Sequence, residues 1–137
     1  MSALLSDPRF PLLSSFTDEE RRTAVPVIEN LIKLANLARA EGVLSLEEAV
    51  INVDNEFLKT GIRLVADGVD PDLVRDVVTA RVYSSCDPST PEGRLRFLHC
   101  AIEMEGMLSI QFGENPRIIE EKLYGYLGAD FPREVTS

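Results

Sequence analysis

Asp67-Gly68-Val69-Asp70-Pro71 holds, within five residues, the end of one helix and the start of another. Gly68 takes the left-handed backbone that closes a helix without a Cβ penalty. Asp70 then offers a side-chain oxygen to the first unpaired amides of the next helix, and Pro71 follows where its missing N–H costs nothing. The same device recurs at Thr90-Pro91 and Asn115-Pro116. Between these marks the apolar residues return every three or four positions. Leu58, Ile62, Val65 and Ala66 precede Gly68; Val74, Val77, Val78 and Val82 follow Pro71; Phe97, Ala101, Met104 and Leu108 follow Pro91; Ile119, Leu123 and Leu127 follow Pro116. That spacing puts each set on one helix face. The valine-rich stretch 74–82 reads as helix rather than strand, because Arg75, Asp76 and Arg81 break a two-residue alternation.

Towards the N-terminus, Thr17-Asp18-Glu19-Glu20 has the form of a capping box. Ile28, Leu31, Ile32, Ala35 and Ala38 follow at helical spacing and Gly42 supplies a stop, so a helix is expected over 18–41. Pro26 lies inside that span: either the helix starts near it or the helix kinks there. Ser45-Leu46-Glu47-Glu48 is a second capping-box sequence, opening a short helix towards Val53, and Asp54 is placed to cap the next. Gly113 and Gly128 are further stops. The expected fold is all-α: a compact bundle of about six short helices in a single domain over 17–128. Irregular segments are expected at 1–16 and 129–137, which hold prolines and serines without sustained periodicity.

A chain of 137 residues is a normal single-domain size, and 45% apolar with 27% charged residues is ordinary globular composition. With 14 basic and 23 acidic residues the net charge is -9, which repels phosphate backbones and anionic lipid surfaces, so nucleic acid is an unsuitable partner. The two cysteines, Cys86 and Cys100, form no CxxC pattern, which argues against a zinc site and suits reduced thiols in a cytoplasmic protein. The uncharged runs at 10–17 and 106–113 are far shorter than the roughly 20 apolar residues of a spanning helix, and no secretory signal opens the chain. A soluble protein without direct membrane insertion is therefore expected.

The inventory for catalysis is thin. His99 is the single histidine, and on a helix it points about 100° away from its neighbour Cys100, which suits a packed structural role. Glu103 with Glu105, and Glu120 with Glu121, lack the i, i+4 spacing of a paired carboxylate site and read as solvated faces. Phosphate-binding glycine loops are absent, and no metal or cofactor is implied. The expectation is a protein that binds another protein and is not an enzyme.

One constellation carries more information. Ala38-Arg39-Ala40-Glu41-Gly42-Val43-Leu44-Ser45-Leu46-Glu47, followed by Asp54 to Gly61 and by Asp67-Gly68-Val69-Asp70-Pro71, resembles the cytoplasmic loop of the flagellar stator protein MotA, of the MotA/TolQ/ExbB proton channel family. A second stretch, Glu105-Gly106-Met107-Leu108-Ser109-Ile110-Gln111 with Gly113-Glu114-Asn115-Pro116-Arg117 and Glu120-Glu121-Lys122-Leu123, resembles the same family's cytoplasmic tail. In that family membrane helices separate the two segments. Here residues 84–104 join them, and Arg94, Arg96, His99 and Glu103 make that link unsuited to hydrocarbon. The resemblance thus implies a stator's cytoplasmic portion that does not conduct ions. It also implies a protein partner, the rotor protein FliG or another motor component, met through charged residues that correspond to Arg39 and Glu47, with Glu41 beside them. Helix-dipole complementation at the two helix ends is the alternative role for Arg39 and Glu47. The alternative class of function is a self-associating helical module, forming a homo-oligomer through leftover apolar stripes.

Overall fold

Most of the helices begin where a side chain caps them. In the computed structural model, which describes residues 13–128 and 130–133, Thr17 and Glu20 form a reciprocal box: the Glu20 amide donates to Thr17 Oγ1 at 3.1 Å and the Thr17 amide to Glu20 Oε1 at 2.9 Å. This opens α1 (Asp18–Arg22), which stops at once, and α2 (Val25–Glu41) starts with Pro26 in its first turn. Pro26 therefore marks a new helix, not a kink, because its ring and absent N–H fit only the first turn. After α3 (Ser45–Ala49) come α4 (Glu56–Ala66), α5 (Pro71–Ser85), α6 (Pro91–Gln111) and α7 (Pro116–Gly125). Asp70, Thr90 and Asn115 cap α5, α6 and α7 through amide bonds of 2.9 Å each. Gly42, Gly68, Gly113 and Gly128 all have positive φ. The all-α expectation holds, with seven α-helices and no strand among the described residues.

Three local expectations change. Ser45 does not cap α3: Leu44 is already helical, so Ser45 lies inside the turn and its hydroxyl donates back to the Gly42 carbonyl at 2.6 Å. Without a cap α3 is one turn long and ends at Ala49, short of Val53. Asn55, not Asp54, caps α4, because its backbone is extended (φ -152°, ψ 90°) and its Oδ1 accepts the Leu58 amide at 3.0 Å.

The core is built around α6. From Phe97 to Ile110 every residue except His99 and Glu105 is buried, so the helix is enclosed on all sides rather than along one stripe. Around it pack α2, with Ile28, Leu31, Leu34 and Ala35 buried, α4, α5 and α7. On α5, Val74, Val78 and Val82 turn inwards, whereas Val77 stays 41% exposed, one position off the buried i, i+4 row. Where α4 meets α6, Gly61 lets the backbone approach so closely that a Cβ there would overlap Met107 Sδ. Phe16 and Phe131, flanking the helices, are both buried in the same cluster. Arg94 covers the Phe16 ring at 4.8 Å and pairs with Glu20 at 3.7 Å, fixing the start of the chain's helical part to α6. Residues 1–12, 129 and 134–137 lie outside the described residues, and with them most of the expected N-terminal irregular segment and part of the C-terminal one. No helix among the described residues is long and apolar enough to cross a membrane.

Candidate partner-binding corner

The turn from α2 to α3 is fixed by backbone bonds. The Gly42 amide donates to the Ala38 carbonyl at 2.8 Å, ending α2, and Gly42 (φ 88°) then reverses the chain so that the Ser45 amide reaches its carbonyl at 3.3 Å. A side chain at this φ would strain the turn. Leu46 and Val50, one turn apart, anchor α3 in the core. Glu47, Glu48 and Ala49 face out, and Ser45 is half-buried. Arg39 in the last turn of α2, Glu41 at its end and Glu47 in the first turn of α3 are all exposed, and their side chains make no hydrogen bond or ion pair among the described residues. The three candidate residues thus share one exposed corner on two successive helices. Both the dipole role and a partner role are open to them there; only the second needs residues free of intrachain partners.

A second polar feature lies inside the bundle, where Glu103 and Glu105 are not the solvated pair their spacing suggested. Glu103 is 5% exposed and accepts a hydrogen bond from Asn55 Nδ2 at 2.8 Å. Desolvation pushes its carboxyl from the ordinary 4.5 up to about 7, against the lowering effects of Asn55 and of the Arg96 charge. Asn55 is therefore bivalent: its Oδ1 caps α4 while its amide nitrogen serves the buried carboxyl of α6. Glu105, mostly covered, pairs with Arg75 of α5 at 3.4 Å. The signal for this burial was in the sequence: Leu98 and Ile102 are apolar as well as the stripe Phe97, Ala101, Met104 and Leu108, which leaves α6 no solvent face.

Cys86, capping the end of α5, and Cys100 of α6 are both buried free thiols. The two thiols interact, which holds Cys86 below the ordinary thiol range and, with burial, raises Cys100 above it. His99 sits 2.9 Å from Thr23 Oγ1, and burial lowers its pKa. An open groove of about 700 Å³ lies between α2, α7 and residues 131–133, lined in part by Val25, Ile32, Tyr124 and Phe131.

Comparison with known proteins finds partial likenesses. Part of the chain is 41% identical over 54 residues to motility protein A of Borreliella burgdorferi, and 36% identical over 72 residues to motility protein A of Bacillus subtilis. Over 49 residues the chain is 45% identical to the chemotaxis protein PomA of Vibrio alginolyticus. The chain is MotA-like. The alignments take in 39%, 53% and 36% of this chain but only 21%, 27% and 19% of those relatives, so the MotA-like region spans about a quarter of their length or less. No protein-family model and no solved structure matches the chain.

Proposed function

We propose that this MotA-like chain is a stator-related component of the flagellar motor that binds a rotor protein such as FliG from the cytoplasm, through Arg39, Glu41 and Glu47. The observation that carries the reading is the corner itself: three exposed charged side chains with no hydrogen bond or ion pair among the described residues, on a backbone set by the Gly42 turn and anchored by the buried Leu46 and Val50. A preformed charged surface steers a partner and fixes its register at little ordering cost. The reading assigns binding to the chain, not catalysis and not ion conduction.

The test is a titration of the wild type, Arg39→Glu and Glu47→Lys against FliG at low and moderate salt. Charge reversal at an interface opposes the partner's field and costs several kcal/mol of binding, and salt screens the wild-type complex over about 8 Å at physiological ionic strength. Reversals that bind like the wild type would place the contact elsewhere. A second reading, self-association, is favoured by Leu73 and Val77, one turn apart on α5 and 56% and 41% exposed. Sedimentation of the purified chain separates the two: a stable homodimer without affinity for FliG supports self-assembly.

A further inference from the structure

The charged corner carries an apolar component that charge alone does not account for. Positions 44, 47, 48 and 51 follow the i, i+3, i+4, i+7 rule of one helix face, here occupied by Leu44, Glu47, Glu48 and Ile51. Leu44 (φ -62°, ψ -29°) leads into α3 in helical angles, and Ile51 follows Val50 (φ -104°, ψ 2°) in the closing turn, its amide donating to the Glu48 carbonyl at 3.3 Å, so the two flank the outward side that carries Glu47 and Glu48. That side points to solvent: Leu44 is 74% and Ile51 65% exposed, while Leu46 and Val50 on the opposite side are 0% and 4% exposed. Single exposed apolar residues are ordinary on protein surfaces. Two that bracket a pair of exposed glutamates with no ion pair among the described residues are a patterned surface.

We infer that Leu44 and Ile51 are the affinity anchors of this corner, and that its partner is a protein surface with two apolar recesses on either side of a basic pair. The inference rests on the docking role proposed for the corner and names the chemistry it selects. Charge complementarity fixes the basic pair: Glu47 and Glu48 stand between the anchors, and Glu41 adds a third carboxylate nearby on the chain. Burying two aliphatic side chains supplies attraction that salt does not screen, while the glutamates set register and reject acidic surfaces. Because Leu46 and Val50 pin α3 from beneath, the anchors are presented with little backbone ordering left to do on binding.

The experiment compares the wild type, the double variant Leu44→Ser/Ile51→Ser, and Glu47→Lys, each titrated with FliG as probe at low and high salt, with thermal melts and sedimentation alongside. Both replaced residues are exposed, so the double variant is expected to melt with the wild type. It is expected to lose affinity by about tenfold or more to the same extent at both salts, the loss for two removed aliphatic contacts. The Glu47→Lys loss is expected to shrink at high salt. Wild-type affinity in the double variant, with Glu47→Lys impaired, overturns the anchors and leaves the charged corner standing. Failure of the wild type to bind FliG overturns both. A wild type that self-associates and a double variant that is monomeric would give the face to a second copy of the chain, which also overturns the inference.

Discussion

At the α4–α6 contact, the carboxyl of Glu103 lies inside the core and takes its hydrogen bond from Asn55; at the α2–α3 corner, Glu47 and Glu48 stand in solvent with no partner among the described residues. The first arrangement ties two helices together and raises the cost of ionising the carboxyl. The second contributes little to folding, since solvated charges near helix ends add a few tenths of a kcal/mol each. Polar groups that are satisfied inside a fold serve the fold. Groups held rigidly and left unsatisfied are available to something else.

The contrast makes the largest prediction one of pH. The folded-state value of Glu103, about 7, lies above its unfolded value of 4.5. The folded state therefore holds the extra proton between those limits. Its favourable contribution is complete below about pH 4.5 and is lost as pH rises to about 7, by about 3 kcal/mol in all. Urea unfolding at pH 5 and pH 8 of the wild type and Glu103→Gln checks this: the stability difference between the two should move by about that amount in favour of the glutamine. An unchanged difference would mean that Glu103 is solvated.

Next in size is Gly61→Ala, whose new Cβ must displace the buried Met107 side chain. A loss of about 2 kcal/mol is expected, since overpacking outweighs alanine's better helix propensity. Thermal melting that stays at the wild-type value would contradict the close α4–α6 approach. Smaller again is Asn115→Ala, which removes the bond from the Arg117 amide at the start of α7 and should cost about 1 kcal/mol. At the corner the effect on folding should nearly vanish: Arg39→Glu and Glu47→Lys are expected to change stability by no more than about 0.5 kcal/mol, as measured in the same melts. Losses of several kcal/mol there would turn the corner into a folding element and erase the comparison.

The fold was legible wherever a helix boundary depended on local chemistry. Thr17, Asp70, Thr90 and Asn115 cap as their sequences indicate, because the cap bond spans only two or three residues. The Ser45 box failed although its residues match the Thr17 box, because the Gly42 turn already places Leu44 in helical angles and carries Ser45 past the cap position. Asp54 and Asn55 are both competent caps, and the choice between them is made by Glu103, 48 residues away, which claims the Asn55 amide. Such a bond has no signature within a window of a few residues. For the candidate site, the positions of Arg39, Glu41 and Glu47 followed from the resemblance, and their exposure from their place at two helix ends. Leu44 and Ile51 were not legible, since only the burial of Leu46 and Val50 shows which side of so short a helix faces outwards.

The central claim is that the α2–α3 corner is where a partner binds, and amide hydrogen exchange of the full chain with and without FliG tests it most directly. Protection on complex formation should concentrate between Arg39 and Ile51 and leave the α4–α6 contact unchanged, since it is buried in the core and away from the corner. Protection confined to the groove between α2 and α7, or no change anywhere at saturating partner, would contradict the account.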